Sequence, residues 1–215
     1  MNIDNIVQNL KNDNSQNRVV RSDFVEFMER VKDPFIALIA TILSLRTNDR
    51  TTYPATMKML KLGCTPKDFA RLEPAKLAEA IYPVGFYKNK AEQIIEIARR
   101  LVEDYDGKVP NSIDELVKFK GVGRKTANLV MTKGFGIPAI CVDVHVHRIC
   151  NRLGYVKTKT PDETEMALRE ILPKKYWIDF NTLLVTHGQN VCKPIIPKCE
   201  ICSISRYCDF FRAAK

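Results

Sequence analysis

Residues 112–134 read SIDELVKFKGVGRKTANLVMTKG: a short capped helix, a tight turn at Gly121-Val122-Gly123, and a second helix beginning near Arg124. Two glycines one residue apart let the backbone turn sharply and leave no side chain there to hold a ligand away. The first N–H groups of the second helix have no intrahelical partner and lie at the positive end of its dipole, which suits a phosphate. A bare G-x-G is equally what an ordinary helix–helix turn carries. The basic flanks Lys118, Lys120, Arg124 and Lys125 tip the reading toward a clamp on a DNA backbone, indifferent to base sequence.

Helix signals continue outward in both directions. From Ala91 the apolar residues Ile94, Ile95, Ala98, Leu101, Val102 and Tyr105 recur at steps of three and four, while Glu92, Glu96, Arg99 and Arg100 face away. Thr65-Pro66, Ser112-x-x-Glu115 and Thr160-Pro161-x-Glu163 read as helix starts, with a hydroxyl cap, a first-turn proline or a capping-box carboxylate. Gly134 and Gly154 read as stops. Apart from an extended stretch at Ile140–Val142, no run of alternating apolar and polar residues is bounded by turns. The expected fold is all-α.

The chain has 215 residues, enough for one or two domains, and 45% apolar with 27% charged residues is ordinary globular usage that excludes long disorder and collagen. Its net charge of +9 favours a polyanionic partner. The charge is localised: segment 44–72 carries six basic and two acidic side chains, and 118–135 five basic and none acidic. The longest apolar run, Phe35 to Leu45, is 11 residues, well short of the roughly 20 that span a bilayer, and reads as a core helix. The opening MNIDNIVQNL has no signal-peptide pattern, so an intracellular protein with no membrane association is expected.

Seven cysteines, an odd number, argue against a disulfide framework. Cys64, Cys141 and Cys150 are scattered and read as buried apolar residues. Cys192, Cys199, Cys202 and Cys208 crowd together as C-x6-C-x2-C-x5-C and imply a metal centre. Zinc and a [4Fe–4S] cluster both accept four thiolates. Zinc sites usually pair their ligands as two short knuckles, and only Cys199–Cys202 is knuckle-like, so the x6 and x5 spacers favour iron–sulfur. Lys193, Lys198 and Arg206 lie between the ligands, which points to a structural staple folding a basic loop against DNA.

GVGRKTAN (121–128), VDVH (142–145) and the four-cysteine spacing resemble the endonuclease III family of helix-hairpin-helix DNA glycosylases, in its order and at its distances, from Asp33 to Cys208. The resemblance implies a bifunctional DNA glycosylase and AP lyase of base excision repair, removing oxidised pyrimidines and then nicking the backbone. Lys125 takes the nucleophile's place and Asp143 that of the family's aspartate. It implies two helical domains with a DNA-binding cleft between them: 25–135 as a helical barrel ending in the hairpin, and 1–24 with 136–215 around a [4Fe–4S] cluster. The expected partner is double-stranded DNA carrying damaged pyrimidines or abasic sites, met by a monomer in the cytoplasm or nucleoid.

The chemistry agrees with that assignment. An amine that attacks the sugar C1′ expels the base and becomes an imine, which acidifies the C2′ proton so that the 3′ phosphate can be eliminated. Such an amine must be neutral when it attacks. Arg124 and the helix dipole disfavour a positive charge on Lys125, a nearby Asp143 would favour it, and sequence does not rank the two. Asp143 reads both as the N-cap of a helix running from Val144 to Leu153 and as the group that stabilises an oxocarbenium charge or shuttles a proton. His145 and His147 are two apart and share no helix face, so His145 is read as a backbone contact or polar packing residue.

Base extrusion needs side chains that fill the stack. LSLRTND (43–49) matches the family's first wedge but puts Arg46 where glutamine is usual, and GFYKNKA (85–91) matches the second, with Phe86 in place of leucine. Lys120 replaces the hairpin proline. The expected DNA contacts are Arg46, Phe86, Lys120, Gly121, Gly123, Arg124, His145 and Lys193. The rival readings are a monofunctional mismatch glycosylase for thymine, uracil or adenine, against which Lys125 argues, and a non-catalytic hairpin and iron–sulfur DNA-binding module.

Overall fold

The computed structural model describes residues 2–213, and every regular element among them is helical. In chain order these are α1 Ile3–Ser15, α2 Asp23–Arg30, α3 Pro34–Ser44, α4 Asp49–Leu60, α5 Pro66–Ala70, α6 Pro74–Ile81 and α7 Tyr87–Asp104. Then follow α8 Ile113–Leu116, α9 Arg124–Leu129, α10 Val144–Leu153, α11 Pro161–Ile171, α12 Phe180–Asn190 and α13 Asp209–Ala213. The all-α expectation holds, and Ile140–Val142 is irregular backbone, with Asn181 donating to the Cys141 carbonyl at 3.2 Å. Among the described residues no helix is long and apolar enough to cross a membrane.

The chain divides into two units: Ser22–Ala139, and the chain up to Arg21 together with everything from Ile140 on. In the first, α3 is buried on all sides because nearly every residue of PFIALIATILS is apolar. Asp33 caps it by accepting from the Ile36 N–H at 2.8 Å, and Pro34 fits the first turn. Ile94, Ile95, Ala98 and Leu101 of α7 pack with Leu38, Ile42, Met59, Phe69 and Leu77. Helix α9 continues as a π-turn over Val130–Gly134 that lies against α3. A Cβ on Gly134 would stand 2.6 Å from Pro34 Cα, so only glycine allows the two backbones to approach this closely.

In the second unit, α1, α10, α11 and α12 enclose Ile6, Leu10, Val146, Ile149, Leu168, Phe180 and Leu184. Helix α10 begins and ends as read: the Asp143 carboxylate accepts from the N–H groups of His145 and Val146, both at 2.9 Å, and Gly154 closes it in the left-handed conformation.

Two readings need correction. The capping box at Ser112-x-x-Glu115 does not form: α8 starts after Ser112 as read, but Ser112 makes no side-chain capping bond, and the Glu115 carboxylate is engaged by Lys118 at 2.5 Å and by the Tyr105 hydroxyl at 3.1 Å. Cys64 is exposed, not buried, because it stands in the loop after α4, while Cys141 and Cys150 are buried as expected. Thr65 and Asp68 form a complete capping box, and Thr160 caps α11.

Candidate nucleic-acid interface and cysteine centre

The hairpin turns through Gly121 at φ +74°, a conformation that costs an L side chain about 1–2 kcal/mol. Val122 is buried beneath it, so the turn is anchored while Lys120, Gly121, Gly123, Arg124 and Lys125 remain exposed. No side chain caps α9 at its N-cap residue, Gly123. Helix α7 braces the hairpin from below. Gln93 donates to the Lys120 carbonyl at 2.8 Å, and Arg100 donates to the Lys118 carbonyl at 2.9 Å while lying 5.1 Å over the Phe119 ring.

In the same unit the turns carrying Arg46 and Phe86 meet. Both residues have left-handed backbones, φ 54° and 58°, and the Arg46 guanidinium stands 5.7 Å from the centroid of the Phe86 ring. Phe86 is 61% exposed, so it is no core staple. The Gly85 N–H donates to Thr47 Oγ1 at 3.2 Å across the two turns. Beneath them lies Lys90, which the sequence reading did not single out. Its amine donates to the Leu43 and Leu45 carbonyls and to Thr47 Oγ1, and burial pushes its pKa down to about 8. A signal existed: Lys90 heads the stripe 90, 94, 98, 101, which is otherwise apolar.

Asp143, His145, Lys193 and the four clustered cysteines belong to the other unit. Arg148, on the next turn of α10, donates to His145 Nδ1 at 3.0 Å and to the Cys192 carbonyl at 2.7 Å, linking the helix that Asp143 caps to the cysteine loop. Arg152, one turn further, donates to the carbonyls of Lys193 and Pro194 and to Cys192 Sγ at 3.3 Å, and its guanidinium lies 4.6 Å over Phe210. Its own carbonyl accepts from Cys208 Sγ at 3.2 Å. Lys193 itself is exposed.

Successive tight turns over Cys199–Ile201 and Ser205–Tyr207 bring Cys199, Cys202 and Cys208 round to face Cys192. All four line one pocket, together with Arg152 and Pro197. Among the described residues no three Cys, His, Asp or Glu side chains stand close enough to share one metal ion. Burial pushes the Cys202 thiol up to about 12.

A family model described as HhH-GPD superfamily base excision DNA repair protein matches residues 39–174. Endonuclease III of Thermotoga maritima is 50% identical over 180 residues, which cover 84% of this chain and 84% of that protein. The structure of a non-covalent endonuclease III–DNA complex superimposes with a TM-score of 0.83 at 31% identity, covering 100% of this chain and 98% of that one. That of a trapped endonuclease III–DNA covalent intermediate gives a TM-score of 0.83 at 31% identity, covering 100% and 99%.

Proposed function

This chain belongs to the HhH-GPD superfamily of base excision DNA repair proteins, and from that premise we propose that it is a bifunctional DNA glycosylase and AP lyase whose nucleophile is Lys125. The observation that carries the lyase half is the place of Lys125, an exposed residue on the first turn of α9 directly behind the hairpin glycines. The covalent intermediate trapped between the similar endonuclease III and DNA supports a protein–sugar bond of this kind.

The Lys125 amine forms a bond to C1′ of the damaged nucleotide as the glycosidic bond breaks, and the base leaves with the electron pair and a proton. Opening of the sugar ring converts the adduct to an imine. The imine withdraws electrons from C2′, whose proton is removed, and the C3′–O bond breaks to release the 3′ phosphate. Asp143 stabilises the positive charge at C1′ or moves the proton, and a group that also caps α10 is held in one orientation for either task. The substrate is double-stranded DNA with an oxidised pyrimidine or an abasic site, met by a monomer in the cytoplasm or nucleoid. Lys120, Gly121, Gly123 and Arg124 seat a phosphate, Lys193 and His145 meet the backbone, and Arg46 and Phe86 fill the opened stack.

Cys192, Cys199, Cys202 and Cys208 would hold a [4Fe–4S] cluster. Their placement around one pocket and the x6 and x5 spacers between them support a cluster held by all four thiolates. Such a cluster supplies four metal–thiolate bonds that pin the loop bearing Lys193.

Borohydride reduction of the enzyme with an abasic duplex tests the reading. The native protein becomes covalently attached to DNA, whereas Lys125→Gln binds the duplex, is not trapped and makes no nick. Trapping of the Lys125→Gln protein overturns the assignment, and a native protein that releases bases but is never trapped is a monofunctional glycosylase.

A further inference from the structure

Lysine is almost never fully buried without partners, yet Lys90 is 6% exposed in the core-facing stripe of α7. Its ammonium has three N–H donors, and three acceptors surround it: the Leu43 carbonyl at 2.8 Å, the Leu45 carbonyl at 2.5 Å and Thr47 Oγ1 at 3.1 Å. Leu43 and Leu45 lie at the C-terminal end of α3, where carbonyls lose their intrahelical partners and the dipole is negative. A cation from a different helix therefore satisfies the end of α3 and holds the turn that leaves it. Although burial lowers its pKa to about 8, the amine still carries its third proton at neutral pH.

That turn is strained where it carries Arg46. Of the four non-glycine residues with positive φ among those described, Asn17 and Asp106 are types that tolerate it, whereas Arg46 and Phe86 are not, and these two meet in space. Backbone strain at two exposed, stacked side chains persists only where surrounding bonds over-determine it. Those bonds are present. Thr47 Oγ1 takes both the Lys90 amine and the Gly85 N–H, tying the first turn to the second. A Cβ on Gly85 would lie 2.9 Å from the Arg46 carbonyl, so the two backbones are in close contact.

We propose that Lys90 is a positioning residue that locks the turns at 43–47 and 84–86 together, so that Arg46 and Phe86 act as one preorganised wedge instead of two independent side chains. An aromatic ring paired with a planar guanidinium offers a stacking platform to bases. The same helix α7 holds the hairpin through Gln93 and Arg100, so the wedge and the phosphate seat share one rigid support. This rests on the repair reading above, and the experiment separates the two.

The probe is a duplex with a tetrahydrofuran abasic analogue and 2-aminopurine as the neighbouring base, whose fluorescence rises when it unstacks. Native protein, Lys90→Met, Thr47→Val, Phe86→Ala and the Lys90→Met/Phe86→Ala double variant are compared at neutral pH, with circular dichroism melts to establish folding. Lys90→Met should bind intact duplex like native protein, lose the fluorescence rise to the level of Phe86→Ala, and, on a duplex with a natural abasic site, lose about tenfold or more in kcat with KM little changed, as a misplaced group does. The double variant should be no worse than Phe86→Ala, because Lys90 acts through the wedge. If Lys90→Met does not fold, Thr47→Val decides: it keeps the side-chain shape, cuts the tie between the turns, and should give an intermediate signal. A native-sized rise in a folded Lys90→Met or in Thr47→Val, or additive losses in the double variant, overturns the proposal and leaves the repair reading intact. A native protein that neither unstacks the analogue duplex nor nicks a duplex with a natural abasic site overturns the repair reading, and with it the proposal.

Discussion

Replacing Gly121 and Gly123 by alanine, one at a time, separates what the hairpin needs to fold from what it needs to hold DNA. Gly121 has φ +74°, and a Cβ there would stand 2.5 Å from Gln93 Nε2. The left-handed backbone costs alanine about 1–2 kcal/mol. Gln93 must also swing away and give up its 2.8 Å bond to the Lys120 carbonyl, a further loss of about 1 kcal/mol. Gly121→Ala should therefore destabilise by about 2–3 kcal/mol and lower Tm on the order of 5–10 °C. Gly123 has φ −92° and ψ 176°, open to any residue, and a Cβ there meets nothing within 4 Å. Alanine is a poorer N-cap than glycine by about 0.5 kcal/mol, and its smaller unfolded-state entropy offsets a similar amount. Gly123→Ala should melt within about 2 °C of native protein. Its methyl group would nevertheless stand where a phosphate approaches the α9 N–H groups. Losing a charge-assisted hydrogen bond costs about 1.5–3 kcal/mol, or roughly 10- to 100-fold in affinity. Differential scanning fluorimetry and fluorescence anisotropy with a labelled duplex measure the two effects. Native DNA affinity in Gly123→Ala would refute the hairpin backbone as the phosphate seat, and a large fall in its Tm would refute the open-space argument.

Asp143→Asn keeps an oxygen to accept from the His145 and Val146 N–H groups, and asparagine caps as well as aspartate. The melt should be unchanged while single-turnover nicking slows about 10²- to 10⁴-fold; a normal rate would reduce Asp143 to a cap. Purified protein should be brown with about four irons per chain, and Cys199→Ala should lose colour, iron and DNA affinity together, whereas one zinc and no iron would disprove the cluster. With six to eight phosphate contacts, a plot of log K against log salt should slope about −5 to −7; a slope shallower than about −3 would remove the basic segments from the interface. Burial lowers the Lys90 pKa from 10.5 to about 8, so between those values the unfolded chain binds more protons and native stability rises with pH. The Tm of native protein, referenced to Lys90→Met, should climb from pH 8 to pH 10, and a flat or falling difference would contradict the buried ammonium.

What could be read from the chain alone is what acts over a few residues. The stripe at 94, 95, 98 and 101, the caps at Asp143 and Thr65, the left-handed stop at Gly154 and the hairpin from 112 to 134 all depend on partners within about one helical turn. The four-cysteine spacing belongs to the same class. Competition for a side chain is harder to read: Glu115 had a local capping partner in Ser112 and is engaged instead by the Lys118 ammonium and the hydroxyl of half-buried Tyr105. The rest was decided by tertiary structure. The bonds that Lys90 makes to Leu43, Leu45 and Thr47 span 47, 45 and 43 residues, and no short-range pattern encodes which carbonyls a lysine on a helix will meet. The same holds for the pairing of Arg46 with Phe86 and for the grip of Arg148 and Arg152 on the cysteine loop. Local sequence chooses helices because their bonds close within four residues; the site is assembled by contacts whose partners only packing brings within reach.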